Sequence, residues 1–362
     1  MKILLASPFG GVPGGISRWT SHINNYYETL QNPFCEMDIL PMGRSSFVNI
    51  NSSYLYRIVS ALCDYRIILK EFRTHLQKSQ YDVLHLASSA SISLLKDFYM
   101  LRQAKRRGIK TIIHFHFGRI PDLYKQQNWE WKLMIRVVKN ADRIVVLDKT
   151  SYDTLLSCGF KNVSILPNPV APEVNKIVES NKDINRESNT ILFTGHVVKT
   201  KGVFELVEAC NKLSNVRLKL VGHIEDDMRI SLNEMARCNL EIMGEMPYEN
   251  VIKEMLKCDI FVLPTYTEGF PNVILESMAA GCAIVTTCVG AIPEMLGNGD
   301  NERYALIVKP KDEIALKDAI ELLLTDAELK REFRSSVSQR VNERYSIDRV
   351  WEKMHNLWAD LY

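Results

Sequence analysis

Short apolar runs rich in β-branched residues alternate with amphipathic stretches of helical period along the whole chain. The strand-like runs fall at 3–6, 37–40, 83–86, 111–116, 144–147 and 163–166, and resume at 191–194, 218–221, 240–243, 260–263, 283–286 and 305–308. Such alternation reads as βαβ units that build a parallel sheet. Six runs on either side of one interruption predict two doubly wound α/β domains. The interruption begins at Pro167-Asn168-Pro169 and continues through Asn, Ser and charged positions, a composition that discourages regular structure. The predicted organisation is a domain over 1–170, a linker over 171–189, a second domain over 190–345 and a final helix over 346–362. Ser346 before Ile347 and Asp348 reads as the cap of that helix. Its apolar positions Val350, Trp351, Met354, Leu357, Trp358 and Leu361 form a broad stripe that needs a groove to bury it. No period of about 20 to 50 residues repeats, which argues against a solenoid.

Composition narrows the class. The 362 residues are 46% hydrophobic and 24% charged, values of a soluble globular protein, which exclude disorder, collagen-like repeats and coiled coil. A net charge of +2 gives no reason to expect nucleic acid as a partner. The charge is unevenly spread: 1–170 holds 22 Lys and Arg against 12 Asp and Glu, and the remainder 23 against 31. The eight cysteines show no C-x-x-C and no metal-type spacing, so they read as reduced thiols of a cytosolic protein. The start, MKILLASPFGG, is too short in its apolar run for a signal peptide, and no later stretch approaches the ~20 apolar residues of a membrane span. The expected location is cytoplasmic, with any membrane contact peripheral.

In open α/β sheets ligands sit beyond the carboxyl ends of the strands, so two facing domains are expected to enclose one cleft. After the first strand, Phe9-Gly10-Gly11-Val12-Pro13-Gly14-Gly15-Ile16 leads into a helix. It serves equally as a phosphate cradle or as a tight turn needing positive φ, and matches neither G-x-G-x-x-G nor the P-loop. His114 and His116 lie two apart on one strand and so share a face, with His116 nearer the carboxyl end and His114 deeper. His85, read as the end of a neighbouring strand, raises the thought of a three-histidine metal site, but no carboxylate or cysteine stands at matching spacing and no metal is expected. After the strand at 191–194, Gly195-His196-Val197-Val198-Lys199-Thr200-Lys201-Gly202 suits a diphosphate, or is an ordinary basic turn. In Pro264-Thr265-Tyr266-Thr267-Glu268-Gly269-Phe270-Pro271-Asn272, a helix starts near Asn272. Glu268 precedes its free amides and Glu276 sits about one turn inside, either on the ligand or solvated.

These residues resemble glycosyltransferase family 4, retaining enzymes of GT-B fold. The likeness is strongest over 191–294, and EGFPNVILE matches the family's E-x7-E pattern at Glu268 and Glu276. The resemblance implies two Rossmann-like domains facing a central cleft, the last helix crossing back to the first. It implies that Glu276 binds the nucleotide ribose and that Glu268 binds the donor sugar with Gly269, Phe270, Pro271 and Asn272. It further implies that Lys201 stabilises the diphosphate, that Gly14 and Gly15 approach it from the other domain, that His116 contacts the transferring sugar, and that the backbone at Met246 meets the base. The catalytic set is then His116, Lys201 and Glu268, with no protein nucleophile, no cofactor and no metal; a nucleotide sugar, UDP-linked by family frequency, is the substrate.

One departure is visible: the family carries arginine where this chain has His196. Guanidinium is always charged whereas imidazole is partly neutral near pH 7, so leaving-group stabilisation is expected to be weaker or pH-dependent. The basic surplus at Arg102, Lys105, Arg106, Arg107, Lys110, Arg119, Lys125 and Lys132 is either a solvated face or a dock on anionic lipid, leading to a polyprenyl-diphosphate-linked acceptor. The expected activity is sugar transfer to a glycan or lipid-linked glycan in cell-surface polysaccharide synthesis. The alternatives are a GT-B epimerase or phosphorylase, and a degenerate transferase that only binds sugar nucleotide or glycan.

Overall fold

All twelve apolar runs form strands, because a parallel strand covered on both faces must be apolar throughout. The computed structural model describes residues 1–10, 14–31, 34–43, 54–297 and 303–362, of which 54–63 by their backbone only. The chain divides into two units, residues 1–168 with 350–362, and residues 169–349.

Unit 1 holds β1 (Lys2–Ser7), β2 (Glu36–Pro41), β3 (Val83–Ser88), β4 (Lys110–Phe115), β5 (Arg143–Val146) and β6 (Val163–Ile165), in the order β2-β1-β3-β4-β5-β6. Unit 2 holds β7 (Thr190–Thr194), β8 (Arg217–Val221), β9 (Asn239–Gly244), β10 (Ile260–Leu263), β11 (Ala283–Thr287) and β12 (Leu306–Val308), in the order β12-β11-β10-β7-β8-β9. Every pairing is parallel. In each sheet the strand order reverses once, between β1 and β3 and between β7 and β10. The helices on either side of a reversal cover opposite faces, which leaves a crevice at the strands' carboxyl ends where ligands bind.

The segment 171–189, expected to be an irregular linker, belongs to unit 2 and carries the helix Pro172–Ser180. Pro172 occupies the first helical turn, where its missing N–H is not needed, and so opens a helix inside the stretch read as irregular. Beyond it, Arg186 donates to the carbonyls of Met255, Cys258, Ala280 and Gly281 at 3.1, 2.9, 2.7 and 2.7 Å, tying the segment to the entries of β10 and β11. The helix Ile347–Ala359 follows Ser346, whose backbone is extended. From Val350 onward it belongs to unit 1, where Trp351 packs on Tyr26 and Tyr27 with ring centroids at 5.7 and 5.8 Å and Trp358 is fully buried. The tryptophan stripe thus finds its groove on the helix Gly15–Thr29.

Candidate active site

In unit 2 the two sequence motifs with charged residues leave β7 and β10, the strands on either side of the order reversal, and the backbone ties them together. The 3-10 turn Lys199–Lys201 accepts the Tyr266 amide at the Thr200 carbonyl, 2.9 Å. Gly202 ends that turn at φ +70, and a Cβ on it would lie 2.0 Å from the Pro264 carbonyl oxygen. Only glycine tolerates both the left-handed backbone and that approach. The far side of the β10 loop is fixed in the same way. A Cβ on Gly290 would meet the Glu268 carbonyl oxygen at 2.3 Å, and the Ala291 amide donates to Gly269 at 2.9 Å. Tyr266 donates its hydroxyl to Glu205 and lies under Lys311, 4.9 Å from ring centroid to Nζ. Burial and the adjacent Glu205 push its phenol up to about 12, so it stays a donor.

Lys201 and Glu268 form an ion pair with each other, both half-buried. The cation assigned to phosphate and the carboxylate assigned to sugar are therefore one electrostatic unit. Glu268 precedes the helix Asn272–Ala279, and Glu276 lies within it, accepting the Tyr248 hydroxyl at 2.9 Å. Pro271 is the residue before the first helical turn, so the amides that follow are oriented for an anion. The Phe270 side chain is buried edge-on against Tyr345, ring centroids 5.8 Å apart, so it anchors the loop. His196, at the exposed end of β7, has the His223 ring 5.7 Å away, and Met246 is half-buried just after β9. Sequence reading missed Tyr248, Tyr266 with Glu205, Gly290 and His223. Nothing in a single tyrosine opening an amphipathic helix marks it as the partner of a carboxylate 28 positions later.

In unit 1, residues 11–13 of the glycine loop lie outside the described residues. Gly10 takes the positive φ, +67, that one reading of the loop required. Gly14 is extended and Gly15 starts the helix Gly15–Thr29; an added Cβ at either meets nothing within 4 Å among the described residues. The fold therefore does not demand glycine at these two positions, and Gly15→Ala is expected to leave the melting temperature unchanged within about 2 °C or to raise it slightly, since alanine is the better helix former. The same change should weaken a ligand that needs the bare helix start, so isothermal titration with nucleotide sugar alongside the melting curve checks it.

His116 lies one residue past β4 with its ring stacked on His114 at 3.9 Å, confirming the shared face, and on Trp19 at 4.6 Å. Its Nε2 is buried and has no partner among the described residues. His85 lies in the middle of β3 rather than at its end, because the strand continues to Ser88. Its Nε2 is 3.2 Å from His114 Nδ1 and its Nδ1 accepts from Trp358 Nε1 at 3.0 Å. Both nitrogens are thus occupied by side chains. Among the described residues no group of three or more His, Cys, Asp or Glu is placed to hold a metal ion. Burial lowers His85 and His116 to about 3, with His85 adding to the effect on His116, and holds His114 well below the ordinary imidazole value. A base depressed in the fold binds fewer protons than when unfolded, so stability is complete above about pH 6.5 and falls as pH drops towards 3. Between pH 7 and pH 5 each such histidine should remove about 2 kcal/mol, measurable by urea unfolding at the two pH values.

Two doubly wound units in one chain, the second with its charged loops gathered at an order reversal, make this a protein of the GT-B class. The Anabaena protein HepE, solved in complex with UDP, shares the fold with a TM-score of 0.71 at 14% identity, over 99% of this chain and 100% of that one. The family model described as glycosyl transferases group 1 matches residues 175–340, and that of Glycosyltransferase Family 4 matches residues 45–174. The chain belongs to this glycosyltransferase family. Among its relatives are a capsular polysaccharide biosynthesis glycosyltransferase of Staphylococcus aureus, 26% identical over 51% of this chain and 49% of that one, and an uncharacterized glycosyltransferase of Methanocaldococcus jannaschii, 29% identical over 98% and 95%. The chain spans about half the length of the capsular relative.

Proposed function

We propose that the protein transfers a sugar, with retention of configuration and without a metal ion, from a nucleoside diphosphate sugar to a glycan or lipid-linked glycan in cell-surface polysaccharide synthesis. The observation that carries this reading is the meeting of the β7 and β10 loops, where Lys201 pairs with Glu268 just ahead of the helix that bears Glu276. A cation, a run of oriented amides and two carboxylates suit a diphosphate flanked by a ribose and a hexose. UDP is the favoured donor nucleotide, supported by family frequency and by the UDP complex of HepE. The capsular relative supports the polymer class of the acceptor.

In this mechanism the bond from the anomeric carbon to the β-phosphate oxygen breaks, and its electron pair stays on the diphosphate. Lys201, His196 and the amides of Phe270, Asn272 and Val273 stabilise that charge as it grows, which lowers the barrier more than it tightens the ground state. The acceptor oxygen bonds to the same face of the carbon and its proton passes to the departing β-phosphate, so no side chain acts as nucleophile. Glu268, with Gly269, Phe270, Pro271 and Asn272 shaping the loop, orients the sugar. Glu276 holds the ribose, the Met246 backbone meets the base, and Gly14, Gly15 and His116 keep the roles that the family resemblance gives them.

A thermal-shift screen against UDP-, GDP-, ADP- and dTDP-sugars tests the donor, because a ligand at 100 times its Kd stabilises by about 2.7 kcal/mol. Product anomer analysis in EDTA tests retention and metal independence, and separates transfer from epimerisation and from binding alone. No helix among the described residues is long and apolar enough to cross a membrane. Arg102, Arg106, Lys110, Lys125 and Lys132 are exposed, whereas Arg119 is committed to Glu130, Lys105 to Asp142 and Arg107 to the Leu76 carbonyl. The protein should therefore float with anionic vesicles more than with neutral ones and be released by salt. Equal flotation would remove electrostatic docking.

A further inference from the structure

Behind His116 lies a column of buried aromatic side chains that the transfer mechanism does not use. Its direction of hydrogen bonding is fixed by one residue. An indole nitrogen only donates, so Trp358 Nε1–H must donate to His85 Nδ1, at 3.0 Å. A neutral imidazole that accepts at Nδ1 carries its proton on Nε2, which therefore donates to His114 Nδ1 at 3.2 Å. His114 is left with its own proton on Nε2, facing the Leu166 backbone in an interaction too loose to be a well-formed hydrogen bond. His85 and His114 are fully buried, so neither has water with which to exchange this arrangement.

The chain of donors ends at the His114 ring, against which His116 is stacked at 3.9 Å. Trp19 closes the other side of the column, with ring centroids 6.1, 5.3 and 4.6 Å from His85, His114 and His116. Trp19 stands on the helix that follows the glycine loop, and Trp351, two turns before Trp358 on the same helix face, rests on Tyr26 and Tyr27 of the helix that carries Trp19. The last helix therefore touches the helix that follows the glycine loop directly, and reaches His116 only through His85 and His114.

We propose that Trp358 is a positioning residue for sugar transfer: its indole N–H sets the tautomers of His85 and His114, and the His114 ring fixed in this way supports the His116 ring packed against it. This inference rests on the proposed role of His116 and adds the device that keeps that ring in one state. A support whose hydrogen bonds are broken lets the ring it carries shift from its working position, so the effect falls on turnover rather than on donor binding.

Long-range 1H–15N correlation spectra of the full chain, labelled at histidine, read the tautomers directly. Between pH 6 and 8 His85 and His114 should both be neutral with the proton on Nε2; an Nδ1–H tautomer or a charged ring at either overturns the assignment, whatever the activity. Trp358→Phe keeps an aromatic ring and removes the donor. It should release the His85 tautomer, lower kcat about tenfold and leave donor KM within about twofold. His85→Asn retains an acceptor for Trp358 and cuts the link to His114, so it provides the same test should the phenylalanine variant fail to fold. Unchanged kcat with an altered tautomer in either variant overturns positioning. His116→Ala is the separate control: if transfer survives it, the role proposed for His116 falls, and the tautomer assignment stands or falls on its spectra.

Discussion

Lys201→Ala is expected to lower kcat for sugar transfer about a hundredfold, close to 3 kcal/mol of barrier, while changing donor affinity about threefold or less. In the structure Lys201 spends its charge on Glu268. When a donor enters, sugar hydroxyls can take over the carboxylate and the diphosphate can take over the ammonium, so in the bound ground state one set of contacts replaces another. The gain comes later, as the leaving diphosphate acquires charge that only the cation can meet. Single-turnover and equilibrium binding measurements separate the two quantities. A kcat loss below threefold, less than 1 kcal/mol, would exclude Lys201 from leaving-group stabilisation. Glu268→Gln in the same background gives a second check, since the paired residues should be non-additive: the double variant should lose less than the sum of the single losses.

Gly202→Ala is expected to have the largest effect on the fold of unit 2. The new methyl would stand 2.0 Å from the Pro264 carbonyl oxygen, and the residue would have to hold φ +70. The left-handed backbone costs an L-residue about 1–2 kcal/mol and forced overpacking another 1–3 kcal/mol. A total near 3 kcal/mol lowers the melting temperature by roughly 6–12 °C for a unit of this size. Because the strain sits between the Lys201 turn and the β10 loop, nucleotide sugar should no longer raise the melting temperature. Gly15→Ala is the matched contrast, the same chemical change at a position with open space, where the fold should be indifferent.

The strands were legible because burial on both faces of a parallel sheet leaves few polar positions to blur the run. Their spatial order was not, since it depends on which crossover each helix makes. The order nevertheless matters most for function: it places the Lys201 turn and the Glu268 loop on adjacent strands. Glu268, Glu276 and Lys201 stood out through spacing and charge type. That Lys201 binds Glu268, and that Tyr248 binds Glu276, are facts of three-dimensional proximity with no local signature. Phe270 illustrates a different limit. Its place inside the motif suggested a ligand contact, but an apolar ring in a loop is claimed by the nearest core, here Tyr345. The stretch at 171–189 was read from Pro167, Pro169 and its polar composition, which hid the short helix that Pro172 opens inside it.

Arg186 carries a practical message for anyone wishing to cut the molecule in two. Expressing the second half from its first strand would delete the guanidinium and strand four carbonyls beneath β10 and β11. The sensible cut precedes Pro169. The last thirteen residues must then be returned to the other piece, in trans or by circular permutation, because unit 1 is assembled from both ends of the polypeptide.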